Sequence, residues 1–151
     1  MELSSKDRAI LSELERDFPL LRKFGYTVTS PRNNKYNCIA WSLHDDAKWW
    51  WPKPPWYWPT SVPRIATVSA FTMAYALQGY AICDSRERED GFEKVALYIG
   101  SDGLVTHAAR QLQDGSWTSK LGAEFDISHS LEAIECQTYG TISTILRRAL
   151  S

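Results

Sequence analysis

Apolar positions recur at helical spacing at the start of the chain. Ile10, Leu11, Leu14 and Phe18 fall on one face of a helix expected over residues 6–17, with Ser4 or Ser5 as its cap and Pro19 at its end. Gly25 to Lys35, with Pro31 and the Asn33-Asn34 pair, reads as a turn-rich connection. A second helical pattern opens at Cys38: Ile39, Leu43 and Ala47, with Ala40 beside them, suit two to three turns with a buried face. A third runs from Arg64 to Gln78, with Met73 expected in the core and Gly79 placed to end it. Tyr80 to Cys83 reads as a short strand with Cys83 buried, and Asp84 to Gly91 as a solvated loop of mixed charge.

The period then changes from helical to alternating. Val95, Leu97 and Ile99 alternate, Gly100 to Gly103 turns the chain, and Leu104 to Leu112 returns as the paired strand. Asp114-Gly115 makes a second turn before Ser116 to Leu121, so three strands form a meander. A closing β or mixed segment, Thr141 to Leu146, precedes a basic tail at Arg147-Arg148. The expected class is α+β: one domain over residues 1–151, with N-terminal helices and the Cys38 helix packed on a small antiparallel sheet.

Composition narrows the function classes. A length of 151 residues suits a single core, and a net charge of −1 with 23% charged residues argues against a nucleic-acid or anionic-membrane partner. The first residues form no export signal and no apolar run reaches about 18 residues, so a cytoplasmic location is expected. Three cysteines, Cys38, Cys83 and Cys136, fit neither a disulfide framework nor a CxxC site. Zinc is not expected, because Cys38, His44, Cys83 and His107 lack paired short spacing, and no other cofactor is implied. Six of the seven tryptophans lie between Trp41 and Trp58, five of them in Lys48 to Pro59, whose four prolines forbid a regular helix or central strand. These rings either plug the core or wall a cleft beside Cys38; Trp49, Trp56 and Trp58 are the candidates for substrate contact.

Cys38 is the candidate nucleophile. At a helix N-terminus its thiolate is expected to be favoured by free N–H groups and the helix dipole. His107, inside the middle strand, is the candidate base that takes the thiol proton and later protonates the leaving amine. For the group that steadies His107, Asp126 and Ser119 stand equal, with His129 behind them. A two-residue loop at Asp114-Gly115 would set Gln111 against Thr118, Ala109 against Lys120 and His107 against Gly122, so Ser119 needs a bulge or a longer loop to arrive. The Cys38 backbone N–H is a natural oxyanion donor, joined by a side chain from Asn33, Asn34 or Asn37.

These residues carry a resemblance. Asn37-Cys38 at a helix start, the strand Glu93 to Gly100 and then Thr106-His107-Ala108 resemble the permuted papain-like superfamily, whose NlpC/P60 and CHAP peptidases and amidases place a cysteine before such a strand pair. Trp117 to Gly122, Asp126 to His129 and Tyr139-Gly140 look like the tail of thiol-amidase domains in that superfamily, including bacterial and toxin-associated ones. Asn37 stands where NlpC/P60 enzymes often have Asp, and the tryptophan-rich insert is a departure. The resemblance implies a papain-like fold and cysteine-dependent hydrolysis of amide or peptide bonds through a thioester. Its implied partners are a peptide or protein substrate, a cell-wall peptide among them, and an immunity protein if the chain is a toxin delivered by a secretion system. Glutamine deamidation or transglutaminase-like acyl transfer uses the same dyad, and a non-catalytic peptide- or glycan-binding module with a Trp/Pro face is the rival of another class.

Overall fold

The computed structural model describes residues 2–121 and 125–150. Helix α1 (Ser5–Asp17) starts on a reciprocal cap, in which the Asp7 amide donates to Ser4 Oγ and the Ser4 amide to Asp7 Oδ2, each at 3.0 Å. Such a cap contributes about 1 kcal/mol. The further helices are α2 (Leu20–Phe24), α3 (Cys38–Ser42) and α4 (Val68–Ala76). The strands are β1 (Tyr26–Ser30), β2 (Ala81–Cys83), β3 (Phe92–Ile99), β4 (Val105–Gln111), β5 (Trp117–Lys120), β6 (Asp126–His129) and β7 (Thr141–Ala149), with a 3-10 turn at Leu131–Ile134.

Among the described residues all seven strands join one antiparallel sheet in the order β1-β6-β5-β4-β3-β7-β2. The chain is thus α+β, but its sheet is larger than the sequence pattern implied. Tyr26 to Ser30, inside the expected turn region, pairs with β6 as an edge strand. The closing segment is a full strand inserted between β3 and β2, so Arg147 and Arg148 are strand residues paired with Glu89 and Glu93 rather than a tail.

The sheet is covered on both faces. Val95, Leu97, Ala108 and Leu146 meet α3, α4 and the tryptophan-rich loop through Ile39, Phe71, Tyr75, Trp50 and Trp58. Ala96, Tyr98, Ala109 and Ile127 meet Leu11 and Leu14 of α1, Phe18 at its C-terminal cap and Leu21 of α2. This alternation along β3 and β4 is the period-2 rule of a strand, and burial from both sides goes with the unbroken apolar run from Val95 to Ile99 in β3.

Four local expectations change. Helix α3 has five residues and does not reach Ala47: His44 takes a left-handed φ of 62° and the Asp45 amide turns back to the Ala40 carbonyl at 2.9 Å. Helix α4 begins later than the pattern, capped by Thr67, and leaves through Gly79, with the Gly79 amide on Ala76 and the Tyr80 amide on Tyr75. Met73 is 44% exposed rather than core, because α4 buries its Ala70, Phe71, Ala74 and Tyr75 side. Cys83 is only half-buried, since β2 is an edge strand. The charged loop after it folds over the buried Lys94, whose Nζ donates to the Ser85 and Glu87 carbonyls at 2.7 and 2.6 Å and pairs with Glu89 at 2.8 Å.

The turn before β7 is set by one glycine. Gly140 has φ 76°, and a Cβ there would lie 1.8 Å from the Ile99 carbonyl oxygen. Gly140→Ala is therefore expected to lower stability by roughly 3 kcal/mol. Urea denaturation checks this; a loss below about 0.5 kcal/mol, within the range of an ordinary surface change, would contradict the close approach.

Candidate functional site

Asn37 caps α3, and its side chain explains why the tryptophan-rich loop follows. Its Oδ1 accepts from the Ala40 amide at 3.2 Å and the Trp50 amide at 3.1 Å, while its Nδ2 donates to the Trp50 carbonyl at 2.6 Å. The residue is thus a buried clamp between helix start and loop, with one Nδ2 hydrogen engaged by the Trp50 carbonyl. Beyond it the loop divides its rings. Trp50 and Trp58 are buried, with Trp58 packed edge-on against Phe71 at 5.0 Å, so Trp58 belongs to the core and not to a substrate surface. Trp49, Trp51 and Trp56 join Asn37, Cys38, Thr106 and Tyr139 around a cleft of about 340 Å³. Trp51 is a wall residue that the sequence pattern did not single out.

Cys38 lines this cleft and is 7% exposed. Its pKa is pushed up to about 11 by burial, against the amides of Ala108, Ile39 and Cys38 itself and the Lys120 charge, which favour the thiolate. The expected depression by a helix terminus is overturned. A five-residue helix has a weak dipole, and desolvation of the thiolate outweighs it.

His107 is fully buried in β4. It pairs with Tyr98 on β3 and shares that residue's face, whereas Cys38 docks among Leu97 and Ala108 on the other. No hydrogen bond joins Cys38 to His107, and His107 Nδ1 has no partner among the described residues. Among the described residues β4 and β5 pair at Arg110↔Thr118 and Gln111↔Trp117, and upstream of Arg110 the Ala108 amide, next to His107, is close enough to the Cys38 sulfur to favour its ionised form. Tyr139 spans both: it lines the cleft with Cys38 and stacks flat on His107, with centroids 4.1 Å apart and planes 12° from parallel. Its turn is held by the Tyr139 amide on Cys136 Sγ at 3.3 Å and by the Thr106 hydroxyl on the Tyr139 carbonyl.

The partner of the imidazole is Ser119. His107 Nε2 lies 2.9 Å from Ser119 Oγ, which lies 2.7 Å from His129 Nε2, and His129 Nδ1 lies 2.6 Å from the Ser130 carbonyl oxygen. A carbonyl only accepts, so His129 carries its proton on Nδ1. Burial lowers the His129 pKa to about 4 and holds His107 well below the usual histidine range, with the His129 charge as a lesser cause for His107. Both rings are therefore neutral at pH 7. His129 Nε2 then accepts from the Ser119 hydroxyl, Ser119 Oγ accepts from His107 Nε2–H, and the bare nitrogen is His107 Nδ1.

Ser119 reaches this place through register. The loop before β5 is longer than two residues: the Leu112 amide bonds the Ser116 carbonyl at 2.7 Å around Gly115 at φ 89°. Gln111 thus faces Trp117 rather than Thr118. That slip of one residue turns Ser119 to the His107 face and Lys120 to the Cys38 face. Gly122, once expected opposite His107, lies outside the described residues. Asp126 is not a partner of His107. Its Oδ2 accepts from the Tyr36 hydroxyl at 2.7 Å, on the layer of Lys120 and Arg110, and burial raises its pKa. Asn33 accepts from the Lys35 amide at 2.7 Å in its own turn. Among the described residues no group of three His, Cys, Asp or Glu side chains is placed to hold a metal, and no helix is long and apolar enough to cross a membrane.

Chemically, the site combines a thiol, backbone amides and an imidazole with one basic nitrogen free. Its histidines also make stability depend on pH. A depressed pKa means the folded state binds the proton more weakly than the unfolded chain, so stability present above pH 6.5 is lost as pH falls toward 4. The loss expected from His129 alone is roughly 3 kcal/mol. Urea midpoints at pH 7.5, 6 and 5 check this, and the slope should flatten in His129→Gln.

No curated protein matches the chain, and no solved structure does. One family model, described as a domain of unknown function, DUF7689, matches residues 27–147. That span runs from β1 into β7 and holds the Cys38 cleft, the tryptophan-rich loop and the His107–Ser119–His129 string. The chain belongs to the DUF7689 family.

Proposed function

We propose that this domain is a papain-like, cysteine-dependent hydrolase of amide or peptide bonds, with Cys38 as nucleophile, His107 as base and Ser119 as the group that holds the base. The observation that carries this reading is the bare, buried Nδ1 of His107, one residue along β4 from the amide that favours the Cys38 thiolate. A buried lone pair without a partner costs about 1–3 kcal/mol and is kept where function uses it.

In the proposed reaction Nδ1 takes the Cys38 proton as the sulfur attacks the carbonyl carbon. The C–N bond then breaks, His107 returns the proton to the leaving amine, and a thioester remains on Cys38. Water, deprotonated by the same nitrogen, splits the thioester and restores the thiol. The high thiol pKa fits a resting state with neutral thiol and neutral imidazole, ionised only as the carbonyl arrives. The amides of Cys38 and Ile39, the first two of α3, are the natural oxyanion donors, because a helix start leaves them without helical partners.

The cleft narrows the substrate. Three indoles, a phenol, a threonine and an asparagine line the cleft with the thiol, and among the described residues none of the lining side chains is acidic or basic. An uncharged acyl group of a peptide or protein therefore fits best. Deamidation and acyl transfer pass through the same thioester, and the acceptor decides between them. Trp56 and Tyr57, 43% and 41% exposed, favour the second reading, a non-catalytic peptide- or glycan-binding face.

Intact-mass screening with amides and peptides of varied charge separates these readings. Wild type is expected to gain an acyl mass with neutral acyl groups and Cys38→Ala to gain none; equal binding by both, without acylation, would favour the binding face. Trp56→Ala should change which substrates react with a stability loss under about 1 kcal/mol, as for an exposed ring, whereas Trp58→Ala should cost about 3–5 kcal/mol. Circular dichroism melts beside the mass screen check both.

A further inference from the structure

Of the polar groups buried in this molecule, His129 is the one that the proposed reaction does not use and that is nevertheless wired to its base. It is 4% exposed on β6. It does not line the Cys38 cleft; with Trp117, Ser130 and Leu131 it borders a separate cavity of about 240 Å³. It therefore cannot touch a substrate held at the thiol. Each end of its ring is engaged, Nδ1 with the Ser130 carbonyl at 2.6 Å and Nε2 with Ser119 Oγ at 2.7 Å.

We propose that His129 is a positioning residue for His107: acting through the Ser119 hydroxyl, it dictates which nitrogen of the His107 ring carries the proton, and so keeps Nδ1 bare. The argument is one of direction. A serine hydroxyl between two imidazoles can donate to only one of them. The Ser130 carbonyl forces the His129 proton onto Nδ1, which leaves His129 Nε2 as an acceptor. The Ser119 proton goes there, and the Ser119 oxygen is left to receive His107 Nε2–H. Remove the His129 acceptor, and the Ser119 proton has one remaining partner, His107 Nε2. His107 would then carry its own proton on Nδ1, where it cannot take one from a thiol. A string that looks like core satisfaction thus sets the sense of the base, and its purpose rests on the hydrolase reading above.

The test reads the tautomer directly. In protein labelled with ¹⁵N at histidine, the wild type is expected to show His107 protonated at Nε2 and bare at Nδ1, and His129 the reverse. His129→Phe, which keeps a ring but neither hydrogen bond, should move the His107 proton to Nδ1. His129→Gln, whose side-chain carbonyl can still accept from Ser119, should keep the wild-type pattern. Alkylation of Cys38 by iodoacetamide at pH 7.5 should fall at least roughly tenfold in His129→Phe and recover in His129→Gln, in line with loss of a general base. A wild-type His107 protonated at Nδ1, or a His107 pattern unchanged in His129→Phe, overturns the inference. The wild-type spectrum alone can do so if His129→Phe fails to fold. If the tautomer follows His129 but no amide acylates Cys38, the hydrolase reading falls and the control of His107 by His129 stands.

Discussion

A polar group taken out of water has to find its hydrogen bonds inside the protein, and this molecule buries two histidines and a serine in one string under its sheet. The Ser130 carbonyl at one end leaves the string a single sense of donation, and the last lone pair, on His107 Nδ1, is left over. Register, strand opening and the Tyr139 turn all converge on it. β5 must be offset by one residue to present Ser119, β6 must carry His129 opposite Trp117, and Gly140 must let its turn press against Ile99 so that Tyr139 can lie on His107.

The thiol obeys the opposite constraint. Cys38 is brought to the sheet by a short helix whose cap, Asn37, is tied to the tryptophan-rich loop. Burial beneath that loop raises its pKa, and nearby amides and Lys120 offset the rise only in part. Helix-end electrostatics are small over five residues, whereas desolvation of an anion is large. In the hydrolase reading proposed above, a thiol held this way would depend on proton transfer at the moment of attack and not on a standing thiolate. The aromatic loop serves two purposes at once: Trp50 and Trp58 help fill the core that seats α3, and Trp49, Trp51 and Trp56 shape the space above the sulfur.

Much of this was legible in the chain. The α1 cap and face, the start of α3 at Cys38, the hairpin of β3 and β4 and the exit of α4 at Gly79 are local features, each set by residues within a few positions of one another. What sequence patterning missed was long-range. β1 hid among turn-forming residues because an edge strand gains its order from β6, a hundred residues away. β7 looked like a mixed segment with a basic tail because its arginines find acids on loops and strands far along the chain. Met73 sat at helical spacing with core residues, yet α4 turned it outward. Ser119 and Asp126 could not be separated until the loop around Gly115 set the register, since a slip of one residue exchanges the two faces of a strand.

The sequence by itself determined that a cysteine opens a short helix, that a histidine lies within a strand of an antiparallel hairpin, and that a rigid aromatic stretch follows the helix, because helix caps, alternation and proline act over short range. Only the tertiary structure decided what those groups are. It placed the thiol deep enough to stay protonated, turned Ser119 rather than Asp126 toward the imidazole, drew His129 in behind it and left one nitrogen bare. Burial, register and the direction of a hydrogen bond arise between distant segments, and no local pattern carries them.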